Sequence, residues 1–227
     1  MNHVQNATRD IGYATFEGVL SHHECNSIAR AVGKNSTSGR AGARNLMSDK
    51  RVAQLAFDSR LLQLAGDALG TEALPFRATL FEKSANANWH VHWHQDRALP
   101  LSRRHDFHDW GPWTRKAGVL YALAPAWALR RVVALRVHLD ASKPDNGPLR
   151  VIPKSHESGI LSSTTIKRMT TAQEADTCVI GRGGVMAMSP LLLHSSLKAR
   201  CDEPRRVIHL EYALSLDLGM GLRLCVS

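Results

Sequence analysis

Cysteines, long apolar runs and repeats are all scarce in this sequence. Its four cysteines stand far apart, at positions 25, 178, 201 and 225, and no two of them form a Cys-x-x-Cys pair. This spacing excludes a disulfide framework and a zinc knuckle, and it favours a reducing compartment, which we expect to be the cytoplasm. No apolar run approaches the roughly 18 residues that a membrane helix needs, and the first ten residues lack the apolar segment of a signal peptide. We therefore expect a soluble protein without a membrane partner.

The positive charge is unevenly distributed along the chain. Its 227 residues suit a single domain, spanning 1–227, and carry a formal net charge of +9. Positions 97–131 hold seven Lys or Arg against two Asp, a local net charge of +5. Such a patch can neutralise nucleic-acid phosphates, but a solvated loop is the simpler interpretation of a charge run. Nucleic acid is therefore the less favoured partner.

A histidine-rich stretch stands near the middle of the sequence. Positions 88–96 read Asn-Trp-His-Val-His-Trp-His-Gln-Asp. On an extended strand, residues two apart point to the same face, so we expect His90, His92, His94 and Asp96 to share one side. Imidazole and carboxylate groups gathered in this way indicate a metal site.

The best-matched set of ligands is His94, Asp96 and His194. Two imidazoles and one carboxylate form the facial triad of non-haem Fe(II) oxygenases, and His194 ends an apolar run that delivers an isolated imidazole into an interior. A triad of His92, His94 and Asp96 fits poorly because those positions span roughly 13 Å of strand. His138, in Arg-Val-His-Leu-Asp, is the main competitor.

Four motifs together resemble the phytanoyl-CoA dioxygenase-like branch of the Fe(II)/2-oxoglutarate oxygenases. They are Trp93-His-Gln-Asp96, Asn146-Gly-Pro-Leu-Arg-Val-Ile-Pro-x-Ser-His156, Pro190-Leu-Leu-Leu-His-Ser-Ser196 and Arg205-Arg-Val-Ile-His. They occur in the family's order, and the match runs from about Gly12 to Tyr212. The resemblance implies Fe(II), 2-oxoglutarate and O2 as cofactor and cosubstrates.

The resemblance also implies how 2-oxoglutarate is held. Arg205 is expected to bind its far carboxylate, since a guanidinium can bind a carboxylate through two parallel hydrogen bonds, and Ser196 to add a hydrogen bond. Lys83 and Trp89 are expected to line the same cavity. The implied reaction releases succinate and CO2 and oxidises the substrate through an Fe(IV)-oxo species. Because Asp96 is present where related halogenases have a small residue, hydroxylation is favoured over halogenation.

The substrate is expected to be a small molecule, anionic or aromatic. The insert 97–130 combines aromatic and basic residues, a composition typical of a lid. We expect Trp110, Trp113, His92 and Arg150 to contact the substrate. Two alternatives stay open: an oxygenase or binder of nucleic acid that uses this basic insert, and a non-catalytic cupin-like binding module.

The predicted fold is mainly β with flanking helices, a double-stranded β-helix or jelly roll packed against N-terminal helices. Positions 1–72 form the helical part, with one helix capped by Ser21 and Glu24 and a second region from about Asp49 to Leu69, ended by Gly70. Positions 76–216 form the jelly-roll core. Eight strands are expected, at 76–83, 88–95, 131–140, 148–153, 177–181, 184–188, 190–197 and 205–214. Asn146-Gly147 predicts a hairpin turn; His156 and His209 are expected to be structural.

Overall fold

Two antiparallel sheets form the centre of the computed structural model, which describes residues 3–33, 42–84 and 87–227. The helices are α1 His3–Asp10, α2 His22–Gly33, α3 Lys50–Ala56, α4 Ser59–Leu69, α5 Ala126–Leu129 and α6 Ser163–Ala172, with short 3₁₀ turns at Leu46–Ser48 and Ser155–Ser158. The strands are β1 Tyr13–Phe16, β2 Gly42–Ala43, β3 Leu74–Lys83, β4 Val91–His94, β5 Ala98–Leu101, β6 Trp113–Lys116, β7 Val119–Leu123, β8 Val132–His138, β9 Leu149–Val151, β10 Asp176–Cys178, β11 Val185–Met188, β12 His194–Ser196, β13 Arg205–Ala213, β14 Asp217–Gly219 and β15 Leu222–Arg223.

The larger sheet has the strand order β1-β11-β8-β13-β3-β2, and the smaller one has the order β10-β9-β12-β4. Every pairing within them is antiparallel. Side chains alternate between the two faces of a strand, and β13 shows the consequence. Its residues Ile208, Leu210 and Tyr212 belong to the core cluster that includes the helices, whereas Arg205 lines the opposite, inner face. The predicted jelly roll with flanking helices is confirmed.

The N-terminal helices cover the outer face of the larger sheet. Buried apolar residues of α2, α3 and α4 form one cluster with β3, β8, β11 and β13. Tyr212 ties the layers together by donating a hydrogen bond to the Ala56 carbonyl at 2.9 Å. This packing supplies the stability that short isolated helices lack in water.

Helix ends follow the sequence signals, with one difference. The Glu24 carboxylate accepts the Ser21 amide at 2.7 Å, and the Ser21 hydroxyl accepts the Glu24 amide at 3.2 Å. Gly70 ends α4 at φ 81°. The helical region expected from about Asp49 to Leu69 consists of two helices, because the chain breaks at Phe57 and restarts as α4. Asp58 caps that new start by accepting the Arg60 amide at 2.9 Å.

The insert between β4 and β8 has its own sheet. Strands β5, β7 and β6 pair side by side, and their apolar side chains pack with Phe76 of β3 and Leu218 of β14. The sequence analysis predicted no strand here, because stretches such as Trp-Thr-Arg-Lys show no clean alternation of apolar and polar residues.

The turn at Asn146-Gly147 is not a hairpin. The strands on either side, β8 and β9, belong to different sheets, so this segment is a crossover. Asn146 braces it by accepting the Lys143 amide and donating to the Ala141 carbonyl, both at 2.8 Å. Among the described residues, no helix combines the length and apolar character needed to cross a membrane.

Candidate metal and dicarboxylate site

Strand β4 carries a bulge that decides which histidines face inward. His94 lies opposite His194 and Val91 lies opposite Ser196, so two residues of β4 match one of β12. Val91 and His94 consequently line the cavity between the sheets. His92 is exposed and contacts the ring of His90 at 4.5 Å. The predicted face shared by all three histidines is therefore wrong, because the extra residue shifts the alternation.

His94, Asp96 and His194 converge on one point. The Nε2 atoms of His94 and His194 lie 3.7 and 3.6 Å from the two carboxylate oxygens of Asp96. One ligand atom from each residue lies within 4.8 Å of the others, and no other trio of this kind occurs in the described parts of the chain. His138, the expected competitor, instead lies 3.0 Å from the Ser142 hydroxyl.

Both imidazoles are held in the orientation that metal binding requires. The Nδ1 atom of His94 lies 2.8 Å from the His92 carbonyl, and that of His194 lies 2.9 Å from the Leu192 carbonyl. A carbonyl can only accept, so Nδ1 carries the proton and Nε2 keeps its lone pair for a metal. Two nitrogens and one carboxylate oxygen, oriented in this way, fit a divalent iron ion.

Charges near the site act differently on the three ligands. Against the effect of burial, the carboxylate of Asp96 raises the pKa of His94, whereas the other two ligands favour the forms that bind metal. Burial lowers the pKa of His194 to about 4, against the opposing effect of Asp96. Burial alone would raise the pKa of Asp96, but the neighbouring His194 and His94 hold it well below its usual value. A neutral imidazole and an ionised carboxylate are the forms that bind metal.

Gln95, which the sequence analysis did not single out, fixes the segment between two of the three residues. Its side chain is buried and donates to the carbonyls of Gly159 and Leu191 at 2.8 and 2.6 Å, while accepting the Leu161 amide at 2.9 Å. Its only sequence signal is its place inside the Trp-His-Gln-Asp motif. These bonds tie the metal-ligand segment to the loop before β12.

A second part of the same cavity carries positive charge. Arg205 is 4% exposed, and its Nε and Nη1 atoms have no hydrogen-bond partner. Lys83 is buried and donates to the Ser196 hydroxyl at 2.7 Å and to the Leu197 carbonyl. The ring of Trp89 lies 5.8 Å from the Lys83 ammonium. An unsatisfied buried guanidinium is costly, so these groups fit the carboxylate of a bound anion.

Burial shifts the pKa values of both cations downward. It lowers the pKa of Lys83 to about 7 and that of Arg205 to about 9, and each cation also repels a neighbouring one, Arg205 and Arg136 respectively. Gly147 permits the close approach of the backbone to Lys83. It has φ 71°, and a Cβ there would stand 2.6 Å from the Leu197 carbonyl oxygen and 2.9 Å from the Lys83 Nζ.

Arg136 is a third cation of this cavity, and the sequence analysis missed it. It is 5% exposed, its Nη1 lies 3.3 Å from the Nδ1 of His209, and its guanidinium carbon lies 5.3 Å from the centre of the Phe81 ring. The available signal was a single arginine inside the apolar run of β8. His209, expected to be structural, is buried beside it.

The cavity between the sheets has a volume of about 60 Å³, and none of the four residues expected to contact substrate lines it. Trp110 is 5% exposed and packs edge-on against Trp127 at 6.0 Å, while Trp113 is partly buried beside the same cluster. Arg150 lies over the partly buried ring of Trp93 at 5.6 Å, and His92 is exposed. Aromatic side chains of the insert thus form a small core, which their composition cannot distinguish from a stacking surface.

His156 keeps the structural role expected of it. Its Nε2 lies 2.8 Å from the Arg9 carbonyl, which joins the segment after β9 to the first helix.

Several solved structures with the same fold align with nearly the whole chain. AviO1 from Streptomyces viridochromogenes Tue57 is 21% identical with a TM-score of 0.66, covering 92% of this chain and 93% of its own. EctD from S. alaskensis, solved with 2-oxoglutarate and 5-hydroxyectoine, is 20% identical with a TM-score of 0.71, covering 94% and 76%. The epimerase SnoN, in complex with Fe3+, alpha ketoglutarate and nogalamycin RO, is 17% identical with a TM-score of 0.70, covering 94% and 83%.

Sequence comparison identifies the family. No curated protein matches the chain. Residues 8–207, however, match the profile of the family described as Phytanoyl-CoA dioxygenase (PhyH), which accounts for most of the sequence. The motifs that carry the resemblance, including the three converging residues, all begin within that range. This chain belongs to the phytanoyl-CoA dioxygenase family, and the enzyme class expected from its motifs, a dioxygenase, is confirmed.

Proposed function

We propose that the chain is an Fe(II)- and 2-oxoglutarate-dependent oxygenase that hydroxylates a small-molecule substrate. The observation that carries the proposal is the placement of His94, Asp96 and His194 in one cavity with the unpaired guanidinium of Arg205. A metal triad alone suits many metalloproteins. A triad that shares a cavity with buried, unsatisfied cations is suited to a metal together with an anionic cosubstrate.

The three ligands have separate tasks in this proposal. His94 and His194 offer their Nε2 atoms and Asp96 offers a carboxylate oxygen, which together hold Fe(II) and leave its remaining positions for other ligands. With 2-oxoglutarate and O2, the bound iron supplies the oxidising power for the reaction, and succinate and CO2 are released. Asp96 occupies the place of a third protein ligand, which favours hydroxylation over the transfer of a halide.

The positively charged residues of the cavity orient the cosubstrate. Arg205 pairs with the far carboxylate of 2-oxoglutarate, and the Ser196 hydroxyl and the Lys83 ammonium add hydrogen bonds to it. Trp89 covers this end beside Lys83 and helps to exclude water. The cavity is small, about 60 Å³, which limits the solvent that can stand beside a bound anion.

Small molecules are the favoured substrates because the fold relatives named above were solved with such compounds. The EctD structure contains 5-hydroxyectoine, and the SnoN structure contains nogalamycin RO. The insert of this chain uses its aromatic residues internally, so it does not present the stacked surface that single-stranded nucleic acid requires. A nucleic-acid substrate is therefore not proposed.

The test is a screen for succinate release by the Fe(II)-loaded protein. The protein is incubated with 2-oxoglutarate and O2 against a library of small molecules, with succinate and a product 16 mass units heavier as readouts. Asp96→Ala serves as the inactive control. Substrate-dependent succinate that disappears in the control supports the proposal. Equal succinate from both proteins, or a wild-type protein that binds neither Fe(II) nor 2-oxoglutarate, contradicts it.

A further inference from the structure

The basic residues on the inner face of the larger sheet lie in two separate rows, each formed by a pair of residues on neighbouring strands. Arg205 of β13 pairs with Lys83 of β3, and four residues along β13, His209 pairs with Arg136 of β8. Four residues of strand extend over roughly 13 Å. The Arg205 row ends beside Ser196, whereas Arg136 of the other row lines the same cavity as the metal triad.

Arg136 is a charged group without an acidic partner. Within the described ranges, no carboxylate lies within 4.0 Å of it, and its buried Nε has no hydrogen-bond partner. Among the described residues, the side chain that bonds it is His209, and because a guanidinium can only donate, the imidazole Nδ1 is the acceptor there. The guanidinium therefore keeps donors available on the cavity side, where Phe81 supports its face.

The side chain of Arg136 points toward the space between the triad and Arg205. It is anchored at His209, yet its guanidinium reaches over the ring of Phe81, which pairs with Val207, one inward position closer to Arg205. Arg136 and Arg205 line one small cavity together with the triad, so a single dicarboxylate placed there can contact both guanidinium groups. Such an anion places one carboxylate beside Arg205 and the other near the triad.

We propose that Arg136 binds the carboxylate next to the keto group of 2-oxoglutarate, so that each end of the cosubstrate is neutralised by its own guanidinium. This inference rests on the proposed function, because it assigns a residue to the same cosubstrate. It assigns Arg136 a role in selecting 2-oxo acids, whereas Arg205 selects for the second carboxylate. A residue that only positioned His209 would not discriminate between ligands with and without the first carboxylate.

The experiment compares three ligands with the Fe(II)-loaded protein under anaerobic conditions. 2-Oxoglutarate has both carboxylates, 2-oxopentanoate keeps only the one next to the keto group, and 4-oxopentanoate keeps only the far one. Dissociation constants are measured by calorimetry, with competition against 2-oxoglutarate for the weak ligands. The visible absorption of the Fe(II)–2-oxo acid complex provides a second readout that does not depend on turnover.

The variants are Arg136→Met, Arg136→Lys and Arg205→Met. Arg136→Met should weaken 2-oxoglutarate and 2-oxopentanoate by roughly 10- to 100-fold, the range lost with a hydrogen bond to a charged group, and leave 4-oxopentanoate unchanged. Arg205→Met should weaken 2-oxoglutarate and 4-oxopentanoate and leave 2-oxopentanoate unchanged. Arg136→Lys should recover part of the 2-oxopentanoate affinity, and unchanged 4-oxopentanoate binding by Arg136→Met shows that the methionine variant is folded.

Several results would overturn the inference while leaving the proposed function intact. If Arg136→Met weakens 4-oxopentanoate instead, Arg136 shares the far carboxylate with Arg205. If it weakens all three ligands equally and lysine restores none of them, its role is structural. If the wild-type protein binds none of the three ligands, the proposed function itself fails, and the inference fails with it.

Discussion

Lys83 and Arg205 occupy directly opposed positions on neighbouring antiparallel strands, so two buried cations stand side by side inside the barrel. Like charges directly across a ladder destabilise a sheet. Lys83 offsets part of that cost by donating to two oxygens, those of Ser196 and Leu197. An anion in the cavity would offset this repulsion, as the proposed binding of 2-oxoglutarate requires.

Binding of 2-oxoglutarate should weaken as the pH rises above neutrality. The pKa of Lys83 in the free protein is about 7, because burial and Arg205 lower it. A bound carboxylate favours the ammonium, so above pH 7 the protein must take up a proton on binding, whereas below it Lys83 is already charged. Calorimetry in buffers of different ionisation enthalpy measures that uptake. Lys83→Met should bind more weakly below pH 7 and show no uptake, while the exposed-residue control Lys143→Met should behave like wild type.

Asp96→Ala should reduce the affinity for Fe(II) by at least 100-fold and abolish succinate formation. Removing a residue that only hydrogen-bonds a metal ligand typically lowers metal affinity 10- to 100-fold, and Asp96 is expected to be a ligand itself. A competition titration with a chelator measures the affinity. Asp106→Ala, which changes a carboxylate with 95% side-chain exposure, is the matched control. Full turnover by the Asp96 variant would remove this residue from the metal site.

Gln95→Ala should weaken Fe(II) binding by roughly 10- to 100-fold, although Gln95 is not a ligand. Three buried hydrogen bonds would be lost and their backbone partners left unsatisfied, at a cost of about 1–3 kcal/mol each unless water enters. Denaturant unfolding and an iron titration measure the two effects separately. An unchanged iron affinity in a destabilised protein would show that strand pairing alone holds the metal site.

Trp110→Ala should destabilise the protein by about 3–5 kcal/mol, the usual cost of removing a buried aromatic side chain. The affinity for 2-oxoglutarate should stay at the wild-type value at temperatures where the variant remains folded, because Trp110 lies outside the cavity lining. Trp113→Ala, at a partly buried position of the same cluster, should cost less. Thermal unfolding and calorimetry test both. A stable Trp110 variant with impaired substrate oxidation would instead support the lid interpretation.

The long strands and the converging residues could be predicted from the sequence because their signals are local and strong. Strand β13, Arg205–Ala213, lies within one residue of its predicted bounds, and the capping residues of α2 and the end of α4 were also recognised. His94, Asp96 and His194 were recognisable because their order and neighbours match a family pattern. Each of these features depends on residues adjacent in sequence.

The features that sequence could not supply depend on partners distant along the chain. The bulge in β4 exists only in its pairing with β12, so alternation alone placed His92 on the wrong face. Gln95 bonds groups some 64 to 96 positions away in the chain. The position of Arg136 in the cavity lining becomes apparent only when β8 is placed beside β13. Secondary-structure propensities cannot predict such contacts between residues distant in sequence.

The extra residue in β4 makes the length of this segment more important than its composition. Deleting one residue at 92 or 93 would restore regular alternation and change which of Val91 and His94 points between the sheets. Exchanging the exposed His92 for another polar residue leaves that geometry untouched. Over evolutionary time the segment should therefore tolerate drift in its outward side chains while rejecting insertions and deletions of even a single codon.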